Sequence, residues 1–539
     1  MPLLDLPNEL LQKISEYLES ERDINAIAQA NSRLYCILDS YLYRYNVQQS
    51  GRSALLWAAR HGQEATAQKS LREKANIQAT NDNDNKAPLL LAAENGHKQV
   101  VKLLVDKGAE VNAQGSRYGN ALQAASARGY KEIVKLLIDQ GADVNAQRIY
   151  GTALQAASDK GHEQVVRLLL DKGADVNAQD SYNGSALQAA SQGGYEQVVR
   201  LLLDKGAEVN AQSGRYGNAL RAASRGGYEE IVKLLVDKGA NVNAQADGYG
   251  NALQAASQRG YKEIVKLLLD KGADVNAQGG SCGNALQVAS AEGYEEIVKL
   301  LVDKGANVNA QARGYGNALQ AASARGYTEI AKLLLDKGAD VNAQGGLYGN
   351  ALQAASAKGY KEIIKLLFNK GADVNVQGGY YRTAFQAASQ GGYKEIVKLL
   401  LNKGADVNVQ GGYYGNALQA ASARGYKEIM KLLLDKGANV NAQGGYYGNA
   451  LLAASHEGHE QVVKMLLDKG AEVNAQGGHF GNALQAASSS GYEAVVGLLL
   501  DKGAEVNAQG GVYSNALQAA VSRGYREIVK LLVDKGAVT

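Results

Sequence analysis

The feature that most constrains this chain is its self-similarity. A Gly-Ala dipeptide following Lys or Gln recurs at Gly108, Gly141, Gly173, Gly206 and onward to Gly536, at intervals of 33 residues except for one of 32. A second marker, the residue opening each Ala-Leu-Gln-like triplet, runs from Ser53, Ala87, Asn120 and Thr152 to Asn515 and counts fifteen copies of one unit. Such a period marks a stacked array, not a set of unlike domains. A length of 539 residues would otherwise suggest roughly three or four domains. Composition sides with the array. Glycine contributes 63 residues, about 12% against a usual ~7%. Only 3 Pro, 1 Trp, 3 Phe and 3 Met accompany 30 Tyr, a narrow alphabet for packing several distinct cores.

Residues 120–152 show what one unit folds into. Asn120 is a good helix N-cap, because its side chain can accept from an orphan backbone N–H. Residues 121–127 predict a short helix rich in Ala, whose small side chains let a neighbouring copy approach. Arg128-Gly129 breaks it. Residues 130–139 predict a second helix with Ile133, Val134, Leu136 and Leu137 on one face. Gly141 suits a left-handed C-cap, and the polar stretch 144–151, ending in Tyr150-Gly151, predicts a turn or hairpin. One such helix pair cannot bury its apolar face alone, whereas stacked copies bury it continuously.

Several function classes are disfavoured at this stage. Net charge is +3, from 57 basic and 54 acidic residues, too balanced for a nucleic-acid footprint. Two cysteines, Cys36 and Cys282, provide neither a disulfide framework nor a thiolate metal site, and suit a reducing compartment. No apolar run approaches the ~18 residues of a membrane span. Asp5 and Glu9 stand where a signal peptide would carry basic and then apolar residues. The expectation is an intracellular protein, cytoplasmic or nuclear, with no membrane or nucleic-acid partner and no cofactor.

The period, the element order and the local words resemble ankyrin repeats. Residues 87–112 match most literally, with Ala-Pro-Leu-Leu at 87–90, Ala92-Ala93, Gly96-His97, Val100-Val101, Leu103-Leu104, Gly108-Ala109 and Val111-Asn112. The resemblance covers about 53–539 and implies an all-α, ankyrin-type α-solenoid of about fifteen helix–turn–helix–hairpin repeats, the first copy divergent and the last truncated. Most copies replace the family's Thr-Pro-Leu-His opening by Asn-Ala-Leu-Gln, and most of its Gly-His pairs by Gly-Tyr. Asn and Gln can still cap and cross-bond, so the fold is expected to survive. Layers about 10 Å apart would give a body on the order of 150 Å long.

Residues 1–47 follow another pattern. Leu6, Leu10, Leu11, Ile14 and Leu18 form an amphipathic stripe, with Pro7 where a first helical turn tolerates it. A second helical pattern runs from Ile24 to Leu42 behind a cap at Asp23. The run from Leu6-Pro7 through Leu10-Leu11, Ile14, Tyr17-Leu18, Asp23-Ile24 and Leu34 resembles an F-box. That resemblance implies a Skp-type adaptor docked on Leu6, Pro7, Leu10, Leu11, Ile14 and Leu18, and a substrate receptor of a cullin–RING ubiquitin ligase. The alternative is a helical cap burying the same stripe against Leu55, Leu56 and Trp57, in a scaffold without ubiquitin chemistry.

Nothing in the repeats predicts catalysis. His456-Glu457-Gly458-His459 lacks the four-residue histidine spacing of a helical zinc site. Gly411-Gly412-Tyr413-Tyr414-Gly415 reads as a turn, and Asp82-Asn83-Asp84-Asn85 lacks the glycine and the final acid of a calcium loop. Ser126, Ser158 and Ser191 are one helix position repeated. A hydrolase would need a convergent pocket of unlike residues.

Two surface signals remain. Two residues before each first helix stand Tyr118, Tyr150, Tyr216, Tyr249, Tyr315, Tyr348, Tyr381, Tyr414, Tyr447 and Tyr513, with Phe480 and Cys282 in register. These rings form a ladder that either holds a target protein, its identity unknown, or stiffens the stack. The residues closing the first helices, among them Arg128, Lys160, Glu292, Arg325 and Glu457, vary while the rest is nearly constant. That is a partner-reading surface or an untouched one. The last copy keeps Ile528, Val529, Leu531 and Leu532 where a terminal repeat turns polar. That end is frayed, covered by another molecule, or continued by further chain.

Overall fold

A computed structural model describes residues 53–80, 85–115, 119–147, 151–180, 184–214, 217–246, 250–280 and 283–538. The F-box-like stretch lies outside them. The described residues hold thirty α-helices in fifteen pairs and one pair of two-residue strands. They fall into two compact units, the residues up to Ala255 with Asp270–Ala273, and Ala256–Leu269 with the residues from Asp274 on. Within each unit the same helix–turn–helix–hairpin element repeats, the all-α solenoid expected from the periodicity.

One copy shows why these residues fold so. The first helix, Ala121–Arg128, starts where expected, and Asn120 accepts from the Gln123 backbone N–H. Gln123 answers by accepting from the Asn120 N–H at 2.8 Å, a reciprocal capping box. Gly129 ends the helix at φ +78°, a left-handed conformation that glycine adopts without the cost other residues meet. The second helix, Lys131–Asp139, buries Ile133, Val134 and Leu137. Leu136, expected on that face, is only half-buried. Each buried aliphatic side chain contributes roughly 1.5–3 kcal/mol. First helices of successive copies pack through small residues such as Ala124 and Ala125, the latter with no exposed surface.

The joints between copies are polar and recur in most of them, the copies with Leu56, Leu90, Arg221 and Leu452 at the glutamine position excepted. Gln123 Nε2, after its Oε1 has capped its own helix, donates to Ala146 O at 3.1 Å and Gly151 O at 2.7 Å in the next hairpin arm. Asn112 Nδ2 donates to Gly141 O at 3.0 Å while its Oδ1 accepts from the Asp143 N–H at 2.8 Å. The ring at each inter-helix break lies over the glycine of the copy before. A Cβ added at Gly326 would come within 2.7 Å of the Tyr360 ring. The three histidines retained at this break use the same seat, His459 Nε2 lying 3.1 Å from Ala423 O. His459 is therefore a packing residue, as its spacing suggests. The expected hairpins are shallow: Gln179–Asp180 pairs antiparallel with Gly184–Ser185, and other copies close by single bridges such as Gly345 with Gly349.

Candidate interaction surface

The hairpin tips are described from Arg313 onward, in the second unit. Tyr118, Tyr150, Tyr216, Tyr249 and Cys282 lie outside the described residues. Two rows of side chains line the tips. The row singled out from the sequence is the inner one. Tyr315, Tyr348, Tyr381, Tyr414 and Tyr513 are half-buried, while Tyr447 and Phe480 are only 6% exposed. These rings stack from copy to copy, with centroids 6.3 Å apart for Tyr348 and Tyr381, 6.1 Å for Tyr414 and Tyr447, and 6.4 Å for Tyr447 and Phe480.

From Tyr348 onward, the residue just before each of these forms an outer row that the sequence reading passed over. Leu347, Tyr380, Tyr413, Tyr446, His479 and Val512 are exposed. Tyr446 stacks on Tyr413 at 5.4 Å and on His479 at 5.3 Å. Backbone bonds tie the tips together, Tyr380 N–H to Leu347 O at 3.0 Å and Tyr446 N–H to Tyr413 O at 2.9 Å. The Tyr-Tyr doublets at 380–381, 413–414 and 446–447 were the signal for this second row.

The inner row also reaches the second candidate surface. Arg325 Nη2 donates to the Tyr315 hydroxyl at 3.1 Å, with the guanidinium 6.0 Å over the ring. Arg523 does the same to Tyr513 at 2.7 Å. In a third copy the polarity reverses, and the Tyr447 hydroxyl donates to Glu457 Oε1 at 2.7 Å. Burial, together with that carboxylate, pushes the Tyr447 phenol well above its ordinary range, so it remains a donor. Tip rings and helix ends are thus one continuous strip within the unit. One opening on it is a cleft of about 570 Å³ lined by Tyr315, Arg325, Leu347, Tyr348, Lys358 and Tyr360.

A serine, a histidine and an acid meet at one place on this strip. Ser490 Oγ lies 2.9 Å from His456 Nδ1, and Glu457 Oε1 lies 3.9 Å from His456 Nε2. The second distance is too long for the hydrogen bond that orients a catalytic imidazole. Glu457 instead takes the Tyr447 hydroxyl, and His456 stacks on Phe480 at 4.1 Å. Burial holds the His456 pKa below its ordinary value. The cluster is packing. Ser126, Ser158 and Ser191 are fully buried. Gly411 N–H closes on Gly415 O at 2.7 Å, a turn. Among the described residues no three His, Cys, Asp or Glu side chains group as a metal site, and no helix is long and apolar enough to cross a membrane.

The outer face differs in kind. Lys172 pairs with Asp139 at 2.9 Å and Lys370 with Asp336 at 2.8 Å, each one copy on, in an exposed ladder between stacked copies. The pairing ammonium holds the Asp139 and Asp336 carboxyls below their usual range.

Comparison with known proteins follows the same lines. The family described as Ankyrin repeats (3 copies) matches in ten overlapping segments, the first at 24–115 and the last at 452–539. A stretch of 59 residues is 46% identical to Ankyrin repeat domain-containing protein 49 of Bos taurus. That match covers 11% of this chain and 25% of the bovine protein, so the chain spans about a quarter of its relative's length.

Proposed function

Because the chain belongs to the ankyrin-repeat family, whose solenoids are protein-interaction modules, we propose that it is a receptor holding a target protein on its hairpin-tip strip. The observation that carries this reading is the exposed outer row from Leu347 to Val512, fixed on stacked inner rings and backbone-bonded tips. A rigid surface of aromatic side chains loses little side-chain freedom on binding. The reading assigns the chain no chemical step.

The finer proposal is a substrate receptor of a Skp/cullin/F-box-type ubiquitin ligase, working inside the cell in the cytoplasm or nucleus. Its support is the sequence of residues 6–34 alone. Leu6, Pro7, Leu10, Leu11, Ile14 and Leu18 would bind a Skp-type adaptor and the repeats would hold the target. Holding both on one chain raises the effective concentration of target lysines near the ligase. Co-purification of the full chain with such an adaptor, beside a Leu10→Asp, Leu11→Asp double variant checked by circular dichroism, tests it. Binding is expected from the wild-type chain and not from the variant. No binding by a folded wild-type chain would sink the ligase reading.

A second reading has one observation in its favour. The first family match begins at residue 24, inside the F-box-like stretch, so residues 24–52 have some repeat character. That favours a scaffold whose N-terminal helices cap the array.

A further inference from the structure

Cations on the two faces of the second unit are treated differently. On the second-helix face several are paired with an acid one copy away: Lys262 with Glu296 at 2.8 Å, Lys337 with Asp303 at 3.3 Å, Lys370 with Asp336 at 2.8 Å and Lys394 with Glu428 at 3.0 Å. On the tip strip they are not. Arg325, Lys358 and Arg424 close three first helices, and the copy ending in Gly391 carries its cation on the hairpin instead, at Arg382. All four are exposed, and among the described residues none is in ion-pair contact with a carboxylate, Arg325 feeling Glu292 only at a distance while it donates to the Tyr315 hydroxyl. Glu292 and Glu457 bound this run at the same helix position, one on each side. Between those acids lie four successive copies, each with an exposed cation on the tip strip, the first carrying a second one at Arg313.

We propose that this run binds an extended acidic segment of a protein partner, its carboxylates meeting Arg325, Lys358, Arg382 and Arg424 in turn. The inference rests on the reading that the tip strip holds a protein, and adds what that protein presents. Copies about 8–10 Å apart match an extended chain rising ~3.3 Å per residue when every third residue is acidic. The Arg325-to-Arg424 run then accommodates about ten residues, and the two glutamates set the register by repelling a longer acidic stretch. A nucleic-acid strand fits poorly, since it carries a charge every ~3.4 Å, about three for each cation here. The cleft between Tyr315 and Tyr348, floored by Arg325 and Lys358, receives the first of these side chains.

The test uses the full chain and a fluorescein-labelled twelve-residue peptide, Glu-Gly-Ser four times over, read by fluorescence anisotropy. Controls are the same peptide with Lys for Glu, the same composition with its glutamates contiguous, and a twelve-nucleotide oligothymidylate. The periodic Glu peptide is expected to bind on the order of tenfold tighter than any control, and to weaken as salt rises. An Arg325→Glu, Lys358→Glu variant should lose about tenfold or more, and Glu292→Gln should bind at least as well as wild type. Arg382→Gly guards against misfolding. Arg382 sits at φ +69°, so glycine relaxes the backbone there while removing one cation. That variant should melt no lower than wild type and still bind the peptide more weakly. Equal affinity for the Glu and Lys peptides, tighter binding of the oligonucleotide, or undiminished binding by the charge variants would overturn the proposal. A photo-cross-linking residue at Leu347, exposed at its tip, separates the two levels of inference. A partner cross-linked equally by wild type and the Arg325→Glu, Lys358→Glu chain overturns the acidic segment and leaves the protein-binding reading standing. Cross-links from the second helices with none from Leu347 overturn both.

Discussion

His456 is one of the few side chains whose surroundings set a measurable pH response. It lies between Tyr447 and Phe480, has its Nδ1 2.9 Å from the Ser490 hydroxyl, and faces Glu457, His479 and Arg523. Burial is the largest influence and lowers its pKa; His479 and Arg523 act the same way and Glu457 opposes them. The unfolded chain therefore takes up a proton near pH 6.5 that the folded copy refuses. Stability rises with pH between the folded value and about 6.5, and is lost as pH falls through that window. Thermal melting at about pH 7.5 and pH 5.5 should show a smaller drop for His456→Gln than for the wild-type chain. An identical drop would mean that His456 titrates as if it were in water. Sequence alone could not reveal this, because the ring's neighbours come from the next copy, at Phe480 and Ser490.

At the scale of elements, the cap on each first helix is also the clamp on the next hairpin. Gln320 Oε1 accepts from the Asn317 N–H at 2.9 Å, while its Nε2 donates to Ala343 O at 2.7 Å and to Gly349 O at 3.1 Å. Gln320→Leu keeps the volume and removes all three bonds, leaving buried backbone groups unpaired at about 1–3 kcal/mol each. We expect a loss of about 2–4 kcal/mol, measured by chemical denaturation, with faster amide exchange at residues 343–350. A loss below about 0.5 kcal/mol would mean that water replaces the side chain. The copy with Leu452 at this position shows that one such joint can be forgone. Much of this level was legible. Asn120 as cap, Gly129 as break, Gly141 as left-handed turn and the two helix spans all follow from one copy read alone. The joints were not legible, because Asn112 with Gly141, Gln123 with Gly151 and Lys172 with Asp139 meet across about thirty residues. Periodicity says that copies touch without saying which atoms do. The tip row was read one residue off the exposed edge for a similar reason. Tyr447 and Tyr446 are adjacent in sequence and opposite in burial, and only the stacking direction separates them.

At the scale of the whole molecule, stability is a sum over neighbouring copies. Among the described residues the last copy packs only on the copy before it. Val521 is 59% exposed where Ser488, one copy earlier, is fully buried, and Val529 is half-buried where Val496 is fully buried. Amides of Arg526–Asp534 should therefore exchange well before those of Glu493–Asp501 in the full chain, as followed by mass spectrometry. Similar rates would mean that the final pair is held by something other than stacking. The seating of each Tyr or His ring on the preceding glycine, with the Gln and Asn bonds beside it, has a further consequence. Most copies carry both halves of each joint, the ring and the glycine, the amide and the carbonyl it seeks. Excising or inserting one whole period joins a half to an equivalent half and strands no partner. Such a gene can lengthen or shorten by unequal exchange, one 33-residue step at a time, while its product stays foldable at each step. The reach of the binding strip can then change by counting copies, without a new surface having to be invented.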